Sequence, residues 1–257
     1  MIDTHRTPFL NCHIDNVDFA EAVDVIRDHV REHVPGFMVS LNTDIAIRLE
    51  VDTAFRSAYD AADLALMDSE PLMRLAVRNG IDVKEKLSGS DLMPRVCKVA
   101  ASEGWRCYFL GGREGVPQQA AANLKQLYPD LVIVGTFSPP FGFEKNPEGI
   151  DDVAARVRAT HPDILFICLG TPKSEKILHP HLSDFDVPFT LSVGAAIDFA
   201  SGSVARAPVW MQKAGLEWLF RFSQEPRRLF KRYFIDSWKF LGIYRRYRRG
   251  LQHANCS

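Results

Sequence analysis

Residues 163–175 read Asp-Ile-Leu-Phe-Ile-Cys-Leu-Gly-Thr-Pro-Lys-Ser-Glu, and they are the clearest indicator of the fold class. The apolar run Ile164–Leu169 has the length of a buried strand and is short for a helix. Gly170 follows the run, and Pro172 lies where the first turn of a helix accepts proline. The next residues, Ser174–Leu182, have helical periodicity. A strand, a turn and a helix in this order are typical of a crossover unit in a parallel sheet.

The same alternation of short apolar runs and amphipathic stretches continues along the chain. The predicted strands are Phe37–Leu41, Leu64–Met67, Arg106–Leu110, Leu131–Val134, Ile164–Leu169 and Phe189–Val193, with a further candidate at Phe9–Ile14. The predicted helices are Phe19–His33, Asp44–Asp60, Pro71–Arg78, Asp91–Ser102, Pro117–Tyr128, Ile150–Thr160 and Ser174–Leu182. This pattern predicts a doubly wound, Rossmann-like α/β domain over residues 1–205, with a mostly parallel sheet and helices on both faces.

From residue 206 the composition becomes basic and aromatic. Residues 221–250 hold ten of the 31 Lys and Arg residues and two of the 32 Asp and Glu residues, which leaves 21 basic and 30 acidic residues elsewhere. Apolar residues recur there at spacings of three and four, which indicates an amphipathic helix. A basic helix with an aromatic face is suited to an anionic membrane surface. We therefore predict a helical appendage over residues 206–257 that docks on such a surface.

The composition disfavours several classes of protein. A chain of 257 residues that is 46% hydrophobic can bury a full core. The acidic balance outside residues 221–250 argues against a general nucleic-acid-binding protein. We expect no secretory signal and no membrane-spanning segment, because no run of apolar residues is long enough. Five scattered cysteines fit a reducing cytoplasm.

Ligands of open α/β sheets bind beyond the carboxyl ends of the strands, so the residues that follow each strand are candidates. Gly111 and Gly112 open a helix after a strand and offer backbone N–H groups to a phosphate, although a tight turn alone explains them equally well. They do not form the full dinucleotide fingerprint, which disfavours a nicotinamide or flavin enzyme. Asp198 has apolar neighbours and needs a partner, for which Arg206 is a candidate.

Asp68 follows four apolar residues and is therefore expected at the end of a strand. A carboxylate at that position can accept a proton from a hydroxyl nucleophile. It can equally be the N-cap of the helix that begins near Pro71. Position alone does not separate the two interpretations.

Short motifs in one order over roughly residues 37–235 carry a resemblance to a known family. They are Ser40-x-Asn42, Asp68, Lys86-x-x-Gly89-x-Asp91-Leu92, Phe109-Leu110-Gly111-Gly112, Tyr128-Pro129, Pro162-Asp163-Ile164-Leu165, Gly170-x-Pro172-Lys173-x-Glu175, Gly194-Ala195-Ala196-x-Asp198-Phe199, Arg206-Ala207-Pro208, Glu217-Trp218-Leu219-x-Arg221 and Glu225-Pro226-x-Arg228. The set resembles the WecG/TagA/CpsF family of bacterial glycosyltransferases.

The resemblance implies an inverting glycosyltransferase that uses no cofactor and no obligatory metal. Its donor would be a UDP-sugar of the N-acetylmannosamine, glucose or uronic-acid type. Its acceptor would be a polyprenyl-diphosphate-linked saccharide at the cytoplasmic face of the inner membrane, in the synthesis of cell-surface or exopolysaccharides. The enzyme would therefore be a cytoplasmic, peripheral membrane protein.

The resemblance also assigns roles to individual residues. Asp68 matches the proposed general base of the family. The predicted substrate-binding residues are Ser40, Asn42, Lys86, Gly111, Gly112, Gly170, Pro172, Lys173, Ser174, Glu175, Asp198, Arg206, Arg221, Arg228 and Lys231. Lys86 stands where Arg is usual in the family and Ser174 stands where Gln is usual, so that these two positions bear on the identity of the donor sugar.

Three other interpretations are open at this point. The chain can be another nucleotide-sugar enzyme that acts on a soluble substrate and has no use for a basic tail. It can be a non-catalytic nucleic-acid-binding protein that uses the tail as its contact surface, which salt-sensitive binding to RNA or DNA would reveal. The basic aromatic helix can also be a packing arm in a homo-oligomer, because aromatic residues are frequent in interfaces.

Overall fold

The computed structural model describes residues 6–208, 211, 217–224, 226, 230 and 236–254. An antiparallel hairpin comes first, with strands β1 (Arg6–Phe9) and β2 (Cys12–Asp15). The prediction of one strand over Phe9–Ile14 is therefore wrong. The backbone turns at Leu10, whose φ of 56° is left-handed, and the Asn11 side chain holds the turn by donating to the carbonyl oxygen of Ala46 at 3.0 Å.

A six-stranded parallel sheet forms the centre of the fold and confirms the predicted α/β class. Its strands are β3 (Gly36–Leu41), β4 (Leu64–Met67), β5 (Arg106–Gly111), β6 (Val132–Phe137), β7 (Ile164–Cys168) and β8 (Phe189–Ser192). Their order across the sheet is β4-β3-β8-β7-β5-β6. The four inner strands are almost entirely buried because helices cover both of their faces.

Helices pack on both faces of this sheet, as a doubly wound fold requires. The helices on its faces are α1 (Phe19–Glu32), α2 (Thr43–Arg48), α3 (Thr53–Asp60), α4 (Glu70–Arg78), α5 (Gly89–Glu103), α6 (Val116–Leu127), α7 (Pro147–Arg158), α8 (Lys173–Phe185) and α9 (Ala196–Ala200). Two further helices follow in the C-terminal part, α10 (Glu217–Gln224) and α11 (Asp236–Ala254). Helices α1, α5, α6 and α9 enclose one core with the sheet, and helices α2, α3, α4, α7 and α8 enclose the other.

Side-chain caps set several helix boundaries. Asp18 and Glu21 form the predicted capping box at the start of α1. The prediction of a single helix over Asp44–Asp60 is wrong, since α2 ends at Arg48 and α3 begins at Thr53. Asp52 starts the second helix by accepting a hydrogen bond from the backbone N–H of Phe55 at 3.0 Å, and the N-cap favours a new helix over a continuous one.

The strand order opens a crevice between β5 and β7. From β5 the chain continues through α6 to β6, and from β7 it continues through α8 to β8 on the other side. The two connections therefore diverge, which is the arrangement that creates a binding crevice at the carboxyl ends of parallel strands. Gly111 lies at this point with a φ of 110°, and a Cβ there would lie 2.6 Å from the carbonyl carbon of Cys168. Only glycine fits such a close approach.

Helix α11 packs on the α/β body through one of its faces. Ile243 is buried, and the ring of Tyr247 lies 5.7 Å from that of Phe9 in an edge-on contact. Burial of one such side chain is worth about 1.5–3 kcal/mol. Trp238, in contrast, is 76% exposed. Within the described ranges, no helix combines the length and the apolar character needed to cross a bilayer.

Candidate functional site

Asp68 and Asn42 meet where strands β3 and β4 end. The Asn42 amide Nδ2 donates to Asp68 Oδ2 at 3.2 Å. The Asn42 carbonyl Oδ1 accepts from the backbone N–H of Ile45 at 3.1 Å and thereby caps α2. The Asp68 backbone N–H donates to the carbonyl oxygen of Leu41 at 3.0 Å. These contacts fix the half-buried carboxylate of Asp68 at the rim of the sheet.

The structure excludes one of the two interpretations of Asp68. The N-cap of α4 is Ser69, whose hydroxyl accepts from the backbone N–H of Leu72 at 3.5 Å. The N-cap interpretation of Asp68 is therefore wrong. Ser40, two residues before Asn42, is half-buried in β3 and pairs in register with Leu66 of β4.

A charged cluster lies beside this pair. Asp91 accepts from Ser88 Oγ at 2.6 Å and pairs with two cations, Lys86 at 3.8 Å and Arg206 in a direct ion pair. Partial burial disfavours the charged form of Asp91, but the bonds from Ser88 and Arg206 and the charges of Arg206 and Lys86 outweigh it, so the pKa of Asp91 is lowered. Because Lys86 and Arg206 share the single carboxylate of Asp91, the cluster has a net positive charge.

A backbone contact places the charged cluster next to strand β4. The Leu87 N–H donates to the carbonyl oxygen of Met67 at 2.8 Å. Since Met67 directly precedes Asp68, Lys86 and Asp68 belong to the same edge of the sheet. Arg206 is the first described residue of the predicted appendage. The sequence suggested Asp198 as its partner, whereas the structure pairs it with Asp91, and this ion pair ties the segment to the edge.

The second part of the site is a cavity of about 910 Å³ over the crevice between β5 and β7. Its size is within the range of pockets that hold cofactors and small ligands. The lining includes Gly112, Arg113, Phe141, Lys173, Asp198 and, from α10, Gln224. Cys168 also reaches it, but burial and the negative charge of Asp198 raise the pKa of this thiol well above its usual range, so it is not a ready nucleophile.

The turn between β7 and α8 lies next to the cavity, which is lined by the flanking residues Leu169 and Lys173. It contains Gly170 and a cis peptide bond before Pro172. Lys173 is the first residue of α8, and its ammonium pairs with Glu144 at 2.8 Å. That hydrogen bond lowers the pKa of Glu144. Lys173 thus presents a cation at the mouth of the cavity and joins two of its loops.

Ser174 and Glu175, two predicted substrate-binding residues, lie inside the protein. Ser174 has no exposed surface, and Glu175 is 2% exposed. Glu175 Oε1 accepts from Ser192 Oγ at 2.7 Å and from Thr171 Oγ1 at 3.0 Å. Burial raises the pKa of Glu175 against these bonds. The two hydrogen bonds to Glu175 connect the turn to the end of β8. Contact of Ser174 and Glu175 with a substrate stays a prediction.

The two parts of the site lie far apart along the edge of the sheet. Strands β4 and β5 are separated by three other strands. Four intervals of about 4.8 Å place the ends of the two strands about 19 Å apart. A single ligand that reaches from Asp68 to the turn after Gly111 must therefore be long.

The basic residues of the predicted appendage are described only in part. Arg221 belongs to helix α10, the helix that contributes Gln224 to the cavity. Arg228 and Lys231 lie outside the described residues. Their contact with a substrate stays a prediction.

The loop between β6 and α7 is a part of the site that the sequence analysis missed. Its residues Ser138, Pro139, Pro140, Phe141 and Phe143 line the cavity. The search for polar residues after each strand did not include the loop after this strand, whose end was predicted at Val134 and lies at Phe137. The dipeptide Pro139-Pro140 could have indicated this part of the site in the sequence, because Pro-Pro marks a loop and this loop follows the carboxyl end of a strand.

An expected outcome concerns the double role of Asn42. Replacement by Ala removes both the cap of α2 and the bond to Asp68, whereas Ser restores a cap but is too short to reach Asp68. We expect Asn42→Ala to lower both the stability, by about 1 kcal/mol, and kcat, by about tenfold. We expect Asn42→Ser to lower kcat alone. Thermal unfolding and initial rates measure the two effects; equal kcat in wild type and Asn42→Ser would contradict the positioning role.

Comparisons with known proteins give a consistent result. The model of a family described as "Glycosyl transferase WecG/TagA/CpsF family" matches residues 7–254. The chain is 24% identical over 225 residues to a Bacillus subtilis protein, which covers 87% of this chain and 84% of the other. It is 26% identical to a Bacillus spizizenii protein, over 75% of this chain and 73% of the other. It is 22% identical to a Staphylococcus aureus protein, over 88% of each chain. All three relatives are named N-acetylglucosaminyldiphosphoundecaprenol N-acetyl-beta-D-mannosaminyltransferase.

Proposed function

The chain belongs to the WecG/TagA/CpsF family of glycosyl transferases, and we propose that it moves a sugar from a uridine-diphosphate donor to a saccharide on a polyprenyl diphosphate. The observation that carries this proposal is the Asp68 carboxylate at the sheet edge, held by Asn42 at 3.2 Å beside the cations Lys86 and Arg206. The names of the three relatives, which act on a lipid-linked diphosphate saccharide, support the class of acceptor.

The proposed reaction is a single displacement. The acceptor hydroxyl oxygen forms a bond to the anomeric carbon of the donor sugar, and the bond from that carbon to the diphosphate oxygen breaks. Asp68 takes the hydroxyl proton as general base. UDP leaves with the bonding electron pair. One displacement at the anomeric carbon inverts its configuration.

The cavity is the proposed site of the donor nucleotide. The backbone N–H groups at the start of α6, after Gly112, and the ammonium of Lys173 would hold the diphosphate and stabilise the charge that grows on it. Asp198 can accept an N–H of the base, since a carboxylate is an acceptor only and uracil offers one ring N–H. The cations Lys86 and Arg206, nearer to Asp68, would hold the diphosphate of the acceptor.

We infer that the C-terminal segment docks the enzyme on the anionic surface that contains its acceptor. Helix α11 turns Ile243 toward the body and leaves Trp238, Arg245 and Arg249 exposed on the opposite side. Trp238, Arg245 and Arg249 are spaced by seven and four residues, which places them on one face. An exposed face with a tryptophan and several arginines is suited to anionic headgroups.

The test of this function is a direct assay. The protein is incubated with UDP-sugars of the N-acetylmannosamine, glucose and uronic-acid types and with a short-chain polyprenyl diphosphate saccharide, and the product is identified by mass spectrometry. Transfer to the lipid-linked saccharide supports the proposal. Turnover of a UDP-sugar without any lipid acceptor favours an enzyme of soluble substrates and contradicts it.

A second expected outcome concerns metals. Because N–H groups and cationic side chains are proposed to hold the leaving diphosphate, transfer should continue at an unchanged rate in excess EDTA. The measurement is the initial rate with and without EDTA, after prior dialysis against the chelator. A loss of activity that Mg²⁺ or Mn²⁺ restores would contradict metal-independent transfer.

A further inference from the structure

The ring of Phe141 has an unusual position for an aromatic side chain. It lines the cavity and is nevertheless 96% exposed. Its neighbours Phe137 and Phe143 pack against the core on either side of it. Phe137 at the end of β6 and Phe143 in the loop are thus partly buried, whereas Phe141 between them lies at the mouth of the cavity with its ring faces accessible.

Several contacts hold the loop in place. Pro139 and Pro140 restrict the backbone before Phe141. Ser138 Oγ donates to the carbonyl oxygen of Arg113 at 3.1 Å, which ties the loop to the turn after β5. The Phe143 N–H donates to the carbonyl oxygen of Pro140 at 3.2 Å. A loop backbone held in this way loses little conformational freedom when a ligand binds.

Lys173 joins the loop to the other wall of the cavity. Its ammonium pairs with Glu144 at 2.8 Å and lies 5.3 Å from the centroid of the Phe141 ring. An exposed aromatic face next to a cation fits a ligand that is planar at one end and anionic at the other. A nucleoside diphosphate has this chemistry, because its base stacks on aromatic rings and its phosphates attract an ammonium.

The position of the loop argues against a membrane contact for this ring. The loop follows β6, which is one edge strand of the sheet, whereas α11 packs on α2 next to the opposite edge. The exposed basic face of α11 and the Phe141 ring therefore belong to different ends of the molecule.

We propose that Phe141 is the stacking platform for the base of the nucleotide donor and that, together with Lys173, it selects a nucleoside diphosphate over other anionic ligands. This inference rests on the proposed function of the cavity as the donor site. It adds a binding residue to the loop over residues 138–146 and assigns the base to the β6 side of the crevice.

The test compares two ligands in variants of the full-length protein. Phe141→Ala should bind UDP about 10- to 100-fold more weakly than the wild type, as expected for the loss of one stacked base. Phe141→Trp should bind UDP within a few-fold of the wild type, because it restores an aromatic face. Inorganic pyrophosphate, which has no base, should bind all three proteins equally. Calorimetric titration measures each Kd, and Leu127→Ala, an exposed apolar residue at the far end of α6, is the matched control.

Three results would overturn the inference. The first is that Phe141→Ala binds UDP as tightly as the wild type does. The second is that Phe141→Ala loses affinity for UDP and for pyrophosphate equally, since equal loss means that the ring only shapes the loop. A rise of KM for the lipid acceptor without a change for the donor would assign the ring to the acceptor. In all three cases wild-type transfer persists and the proposed function stands. Failure of the wild type to bind UDP would instead refute the donor assignment and this inference together.

Discussion

Transfer by the Asp68→Asn protein is expected to be about 10²- to 10⁴-fold slower than by the wild type, the usual contribution of a general base. The amide has almost the shape of the carboxylate and keeps an oxygen that accepts from the Asn42 amide, which lies 3.2 Å away in the wild type. It cannot take the proton of the acceptor hydroxyl. The effect should therefore appear in kcat, with donor affinity and unfolding temperature close to those of the wild type.

The matched control for this variant is Asp163→Asn. Asp163 is also a half-buried carboxylate next to a strand of the sheet, but it lies at the amino end of β7, where its Oδ2 accepts from the Arg106 backbone N–H at 2.7 Å. We expect this replacement to leave kcat unchanged. Near-normal transfer by Asp68→Asn, measured under saturating donor and acceptor, would refute the assignment of Asp68 as the base.

The second large effect is expected for membrane binding. Arg245, Arg248 and Arg249 are exposed on α11, and each basic residue near an anionic surface contributes about 1 kcal/mol. Their joint replacement by Gln should weaken binding to phosphatidylglycerol vesicles by about two orders of magnitude. Vesicle sedimentation at low and high salt measures the effect. Deletion of the whole segment is a poorer test, because it also removes the buried Ile243 from the core.

A control with the same change in charge tests whether position matters. Arg31, Arg78 and Arg156 are exposed on α1, α4 and α7, and their joint replacement by Gln should leave sedimentation almost unchanged. If the α11 variant sediments with vesicles as the wild type does, the docking role of the appendage is excluded. Tighter binding of the wild type to RNA or DNA than to the vesicles would favour a nucleic-acid partner.

The class of the fold was predictable from the sequence because its signals are local. Runs such as Ile164–Leu169 are short, apolar and ended by glycine, and each is followed by helical periodicity. The order of the strands was not predictable, since it depends on which edge each crossover packs against. Strand β6 ends three residues later than predicted, because an edge strand is half exposed and its apolar run stops before the strand does.

The site was predictable where one residue carries the signal. The position of Asp68 at the end of a strand was predicted from the sequence, and its role as a base stays a prediction. Only the structure shows that Ser69 takes the capping role. The ion pair between Arg206 and Asp91 joins residues that are 115 positions apart, and no local pattern indicates such a pair. The periodicity of α11 predicted a helix with an apolar face. It did not reveal that part of this face packs on the body, since a protein core and a bilayer favour the same residues.

The separation of about 19 Å between the ends of β4 and β5 makes the length of the donor a criterion of its own. A sugar 1-phosphate can place its ring near Asp68, but it is too short to fill the cavity at the far end. The protein would thus select its donor by length and accept only a sugar that carries a complete nucleoside diphosphate. Small sugar phosphates would enter the same crevice but would not serve as donors.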